Sequence, residues 1–267
     1  MQVKEISSSS NPLLKMVRSL HDRKGRRESG LFLLEGIKLL KEAAAKDIEV
    51  EDIIVSSSFL KEGMPGMPQL DRNEIVVVED LLFLQLATTE TPQGVLATAK
   101  SLKTDLSEVL KQKDAFVIVA DTVQDPGNLG TIMRAGLAFG ATAIVLTKGT
   151  ADPFSPKVVR SAMGALFALP VVLDVQLDEV MEQLKAHQVT CFAMDQNAEE
   201  SLWTASFPDR LALLLGNEGN GLSLEDMKKA DRVISIPISE RSESLNVAIA
   251  AGIALAFIAS KRAIGAS

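Results

Sequence analysis

The run Phe116-Val117-Ile118-Val119-Ala120-Asp121-Thr122-Val123-Gln124-Asp125-Pro126-Gly127-Asn128-Leu129-Gly130-Thr131-Ile132-Met133-Arg134-Ala135 decides the fold class of this chain. Its first five residues are apolar without alternation, the pattern of a strand buried on both faces. Pro126-Gly127 then marks a tight turn, and Asn128 is placed to cap a helix reaching Phe139. Arg134 falls about two turns into that helix, on the same broad side as Thr131. The same strand-turn-helix order continues downstream. Strands are predicted at 143–146, 168–173, 189–193, 211–215 and 233–236, and helices at 156–163, 177–186, 224–229 and 245–258. Apolar strands alternating with amphipathic helices predict an α/β domain with a mostly parallel sheet covered on both faces.

Upstream, a smaller α/β domain is expected over residues 1–100. Asn11-Pro12 opens a helix whose Leu13, Leu14, Val17 and Leu20 recur at helical spacing. The segment 23–29 reads as a polar turn, followed by a strand at 31–34, a helix at 37–45 and a strand at 53–55. A Gly/Pro loop at 63–68, a strand at 75–78, a short helix at 81–86 and a strand at 94–99 complete it. Residues 101–113 are polar and charged and read as a linker or short helix, leaving 114–267 as the second domain.

Composition narrows the class. The 267 residues suffice for two cores, and 46% hydrophobic with 24% charged residues describes a folded chain. The most apolar stretches are too short or too rich in alanine for a membrane span, and Met1-Gln2-Val3-Lys4-Glu5 lacks an apolar signal core, so a cytoplasmic location is expected. Cys191 is the only cysteine and reads as a buried, inert side chain. The net charge of −7 is uneven: residues 1–41 sum to +5 and the remainder to −12. Such an end can serve as a local phosphate-binding surface on an acidic protein, and a solvated helix face is the plain alternative.

Three loops at the C-terminal ends of predicted strands carry the polar and glycine residues from which open α/β sheets build ligand sites. The first is the turn at 121–128. The second is Leu215-Gly216-Asn217-Glu218-Gly219-Asn220-Gly221-Leu222, whose glycines let backbone groups approach a flat ligand while Glu218 adds an acceptor. It lacks the Lys-Ser/Thr ending of a phosphate loop. The third is Ile236-Pro237-Ile238-Ser239-Glu240-Arg241-Ser242-Glu243-Ser244-Leu245-Asn246-Val247. Each has an ordinary reading when taken alone: a strand-turn-helix junction, a hairpin-like turn, and a helix capped by Ser242 or Ser244. Asn246 is harder to dismiss, because an amide on the first turn of an apolar helix needs partners if buried.

Together and in order, the three segments resemble the SpoU/TrmH family of RNA ribose 2'-O-methyltransferases. Asn128, Gly130, Arg134 and Ala135 match its first motif. Gly216-Asn217-Glu218-Gly219 with Gly221-Leu222 match the second, and Ile236-Pro237 with Ser244-Leu245-Asn246-Val247-Ala248 match the third. The segment 155–165 looks like the intervening basic segment. Gly30-Leu31-Phe32-Leu33-Leu34-Glu35-Gly36 and Thr91-Pro92-Gln93-Gly94 look like the family's N-terminal substrate-binding domain.

The resemblance implies an L30e-like N-terminal domain, a C-terminal domain with a deep trefoil knot, a homodimer, and S-adenosylmethionine as methyl donor without a metal. Leu215, Gly216, Asn217, Gly221, Ile236 and Leu245 are then the expected cofactor contacts, and Arg134, Asn128, Glu218, Ser244 and Asn246 the expected catalytic set. With only His21 and His187 and no tyrosine, no ordinary base lies near these loops. A guanidinium deprotonates only at great cost, so Arg134 is expected to hold a phosphate and stabilise a developing alkoxide. RNA is the expected partner, 23S ribosomal RNA ahead of transfer RNA, contacted by Arg18, Arg23, Lys24, Arg26 and Arg27, with Lys157 and Arg160 extending the surface. A catalytically silent RNA-binding protein and a base-nitrogen methyltransferase are the rival readings.

Overall fold

The computed structural model describes residues 2–69 and 74–265, with the backbone alone for 263–265. Met1 and residues 266–267, the outer ends of the two expected domains, lie outside the described residues. The chain divides into two compact units, one of residues 1–101 with 152–167 and one of residues 102–151 with 168–267. The segment 152–167, read from the sequence as part of the second domain, thus packs with the first unit.

The first unit holds strands β1 (Gln2–Ile6), β2 (Leu31–Glu35), β3 (Val50–Ser56), β4 (Glu74–Val78) and β5 (Val95–Lys100) in the order β1-β4-β3-β5-β2. β1, β4 and β3 run parallel, and β5 is antiparallel to both its neighbours. The helix Pro12–Ser19 starts as expected, with the Asn11 side chain accepting from the Leu13 amide at 2.9 Å and proline in the first turn. Its Leu14 and Val17, with Leu20, pack into a core with Ile54, Val76, Phe83 and Leu96.

Residues 23–29 depart from the expected polar turn: they form the helix Arg23–Ser29, which has no apolar stripe and ends on Gly30 at φ +69°. Arg26 anchors it from inside. Only 5% exposed, its guanidinium pairs with the Asp152 carboxylate at 2.7 and 2.8 Å and donates to the Leu20 and His21 carbonyls at 2.7 and 2.9 Å. Arg26 therefore cannot serve as the RNA contact expected of it, since all its donors point into the protein. β1 was also unanticipated, because its Gln-Val-Lys-Glu-Ile run has little apolar content and it sits at a sheet edge.

The second unit holds β6 (Phe116–Ala120), β7 (Ala143–Thr147), β8 (Val171–Val175), β9 (Thr190–Met194), β10 (Glu200–Ser201), β11 (Leu211–Leu215) and β12 (Arg232–Ser235). They form one parallel sheet in the order β10-β12-β9-β11-β6-β7-β8. β6, β7 and β11 are buried along their whole length, the expected signature of a sheet with both faces covered. The helix Pro126–Ala138 lies close on this sheet. A Cβ on Gly136 would sit 2.5 Å from the Ile118 Cδ1, so the glycine sets the helix-to-strand spacing.

Cys191 is buried as expected, and its thiol is pushed up to about 12 by burial and then by the nearby Asp231 carboxylate, which makes it unreactive. No helix among the described residues is long and apolar enough to cross a membrane. The ends of β6, β9, β11 and β12 deliver residues 121, 195, 216 and 236 to one edge of the sheet, and there the three polar loops meet.

Replacing Arg26 by Met should lower unfolding free energy by about 3 kcal/mol, because Asp152 is left as an unpaired, mostly buried charge. Urea unfolding reads this, and an unchanged midpoint would contradict the anchoring role.

Candidate functional site

A pocket of about 390 Å³ opens at the ends of β9, β11 and β12. The six sequence-derived cofactor candidates, Leu215, Gly216, Asn217, Gly221, Ile236 and Leu245, all line it, as do Glu218 and Ser244. Sequence reading missed part of the wall: residues 194–197 at the end of β9, together with Ile238 and Glu243. The signal was the polar run Asp195-Gln196-Asn197 directly after an apolar strand, at the position where parallel sheets place ligands.

The glycine loop owes its shape to close backbone packing. A Cβ on Gly216 would lie 2.5 Å from the Gly221 carbonyl carbon and 2.6 Å from the Leu222 nitrogen, so no side chain fits there. Asn217 and Gly221 exchange backbone hydrogen bonds at 3.2 and 2.9 Å, and Gly221 sits at φ +64°. The Asn217 Oδ1 accepts from the amides of Gly219 at 2.9 Å and Asn220 at 3.2 Å. The result is a loop of exposed main-chain groups above the apolar Leu215, Ile236 and Leu245, which suits a flat, polar-edged ring.

Asn128 ties the three loops together. Its Nδ2 donates to Glu218 Oε1 at 3.1 Å, and its Oδ1 accepts from Asn246 Nδ2 at 2.9 Å. Glu218 in turn accepts from the backbone amides of Gln124 at 3.0 Å and Asp125 at 2.8 Å. Burial pushes the Glu218 carboxyl up, but the hydrogen bonds from Gln124, Asp125 and Asn128 outweigh it and hold the carboxyl below its ordinary value.

The capping roles expected from sequence change hands. Asp125, not Asn128, caps the helix Pro126–Ala138, its Oδ1 accepting from the Asn128 amide at 2.8 Å. Asn246, rather than Ser242 or Ser244, caps the final helix, Val247–Gly265, by accepting from the Ala248 amide at 2.9 Å and the Ile249 amide at 3.3 Å. Ser, Asn and Asp are interchangeable as caps by sequence, which is why tertiary contacts decide.

Arg134 is exposed on the helix Pro126–Ala138 and, among the described residues, has no hydrogen-bond or ion-pair partner. It does not line the pocket. Of the basic candidates, Arg23, Arg27 and Lys157 are exposed, Lys24 is exposed beside Glu28 at 3.8 Å, and Arg18 donates to the Ser9 carbonyl. Arg160 is half-buried and donates to the Thr88 Oγ1 at 2.7 Å, a hydroxyl that itself donates to Glu35 at 2.5 Å. Its donors are thus partly committed to the protein.

Glu218→Gln should lower stability at neutral pH by on the order of 1 kcal/mol, since an amide cannot accept from both backbone N–H groups. The carboxylate's contribution exists above the ordinary glutamate value and disappears as pH falls through that value toward the lowered one. Unfolding curves of the two proteins should therefore converge once pH has fallen below that lowered value. A difference that persists there would contradict the assignment.

Residues 115–256 match the SpoU rRNA Methylase family, and residues 11–97 match the MRM3-like substrate binding domain. The 23S rRNA (guanosine(2553)-2'-O)-methyltransferase RlmP of Bacillus subtilis is 34% identical over 251 residues, 94% of this chain and 97% of that protein. Among solved structures, the AdoMet-bound rRNA methyltransferase from Sinorhizobium meliloti superposes with a TM-score of 0.85 at 31% identity, covering 98% of this chain and 99% of that one. The SpoU methyltransferase AviRb from Streptomyces viridochromogenes, in complex with AdoMet, gives 0.84 at 26% identity over 95% of this chain and 98% of that one. By the extent of these matches and the meeting of its three motifs at one sheet edge, the chain belongs to the SpoU rRNA methylase family.

Proposed function

We propose that this protein transfers a methyl group from S-adenosylmethionine to a ribose 2'-hydroxyl of 23S ribosomal RNA, as a cytoplasmic homodimer whose second unit is knotted. The observation that carries the reading is the Glu218-Asn128-Asn246 bridge, which unites the three motif loops beside a pocket floored by Gly216. The RlmP relative is named for 23S ribosomal RNA, which favours that substrate. Support for the knot is the chain path: β11 is inserted between β6 and β9, and the last helix returns to pack on the helix that follows β6. Support for the dimer is that Leu137, Phe139 and Ile249 stand exposed on or beside that helix pair, where a second copy would cover them. A ribosomal RNA substrate fits a cytoplasmic enzyme.

The pocket fits an adenosyl ligand. The main chain of the 216–221 loop can read a purine edge, the apolar Leu215, Ile236 and Leu245 can sandwich its faces, and the missing side chain at Gly216 lets the loop close on Gly221 and Leu222 in the shape that lines the pocket. When bound, S-adenosylmethionine supplies an electrophilic methyl on a sulfonium. Everything else falls to the chain. Asn128, fixed on both sides by hydrogen bonds, and Asn246, held by its cap, keep the loops in register, so the rate gain comes from positioning. The uncommitted Arg134 guanidinium takes the phosphate beside the target ribose and stabilises the negative charge that develops on the 2'-oxygen as the hydroxyl proton passes to solvent water. Ser244, on the pocket rim, is a further hydroxyl available to the substrate. Arg18, Arg23, Lys24, Arg27 and Lys157 contribute phosphate contacts, with Arg160 in a structural part.

Mapping ribose methylation in total RNA from cells with and without the protein should show one mark lost from 23S ribosomal RNA. Loss confined to transfer RNA, or no loss, would overturn the substrate assignment. Arg134→Lys should cut turnover by about a hundredfold with cofactor affinity unchanged, because a planar fork is replaced by a point charge. Near-normal turnover would remove the guanidinium from the mechanism. Gly216→Ala should abolish S-adenosylhomocysteine binding in calorimetry, and retained binding would contradict the backbone-floored pocket.

A further inference from the structure

The glycine loop is shaped by Asn217, and Asn217 is itself held from the start of the first loop. Its Nδ2 donates to the Thr122 carbonyl at 2.9 Å. Thr122 is a β-branched residue at φ +53°, a conformation such residues rarely adopt and one that persists only when the surroundings over-determine it. What over-determines it is Thr147. The Thr147 hydroxyl accepts from the Thr122 amide at 3.2 Å and donates to Asp121 Oδ1 at 2.7 Å, with the side chain only 4% exposed. Asp121 closes the circuit, its amide donating to the Leu215 carbonyl at 2.8 Å, at the root of the glycine loop.

Two further features show that this arrangement is built in. The β7–β8 register shifts between Leu146 and Thr147, and irregularities of this kind re-aim a side chain beside a functional site. Gly149, at φ +98°, lies so close to Thr122 that a Cβ there would be 3.1 Å from the Thr122 Cγ2. Thr122 is thus confined from both directions.

We infer that Asp121, Thr147 and Thr122 form a positioning relay that sets the shape of the 216–221 loop, and with it affinity for the adenosyl ligand, without touching that ligand. The inference rests on the cofactor reading of the pocket. Thr147→Val keeps the shape of the side chain but removes the hydroxyl that the Asp121 carboxylate and the Thr122 amide share. The relay then loses its hold on the Thr122 carbonyl, and Asn217 loses its fixed acceptor. Thr147→Ser keeps the hydroxyl and so should restore the wild-type behaviour.

The test is calorimetric titration with S-adenosylhomocysteine, paired with ligand-free thermal melts and with kcat at saturating cofactor. Thr147→Val should weaken binding about tenfold with kcat within about twofold, and Thr147→Ser should bind as the wild type does. Asn217→Asp keeps the acceptor for Gly219 and Asn220 and loses the donor to Thr122. It should weaken binding similarly, and the double variant should be no weaker than either single one. Unchanged affinity in a folded Thr147→Val, or additive losses in the double variant, would overturn the relay. If Thr147→Val does not fold, Asn217→Asp alone decides: unchanged affinity overturns the relay. Failure of the wild type to bind S-adenosylhomocysteine would instead sink the cofactor reading.

Discussion

A primary amide offers a donor group and an acceptor, and the Asn128 side chain commits both to other loops: Nδ2 to Glu218 and Oδ1 to Asn246. Those residues belong to segments some 90 and 118 positions away in sequence. An aspartate at 128 would present oxygen to the Glu218 carboxylate, and a leucine would satisfy neither neighbour. Because Glu218 also gathers the amides of Gln124 and Asp125, the first loop is locked to the second through both its side chain and its backbone. The third loop is held by Asn246, which spends its oxygen on the start of the last helix and its nitrogen on Asn128. These polar groups stand in for the packing that loops lack, and the pocket wall follows from them.

The parallel sheet makes this economical. Its strands deliver their ends to one edge, so the loops need only short polar links to meet there. The cost is local strain, concentrated at Thr122 and absorbed by Thr147 at the end of a fully buried strand. The same logic recurs in the first unit, where a helix without an apolar stripe is held through Arg26 and the Asp152 carboxylate. In both places a buried polar group that is completely paired does what hydrophobic burial alone does not, which is to fix one geometry.

The alternation of strands and helices in the second unit was legible because fully buried strands such as Phe116–Ala120 carry an unbroken apolar run. The pocket residues of the three motifs were legible because glycine, asparagine and proline cluster where backbone must turn tightly. What stayed hidden was set by tertiary contact. The helix Arg23–Ser29 has no periodic signal, and the burial of Arg26 depends on a carboxylate 126 positions away. The edge strand β1 has no strong apolar alternation. The exchange of capping roles, from Asn128 to Asp125 and from Ser244 to Asn246, turns on which equivalent side chain finds a second partner. The wall at 194–197 was overlooked because its polar run follows an ordinary buried strand.

In the proposed reading, three distant stretches of chain, fastened by one asparagine, enclose an adenosyl ligand beside the 216–221 loop. A crystal structure with S-adenosylhomocysteine tests it most directly. The adenine is expected between Leu215, Ile236 and Leu245, with its ring edge on the main chain of the 216–221 loop and Asn128 still bridging Glu218 and Asn246. Ligand density elsewhere on the protein, or those stretches parted with the ligand bound, would contradict it.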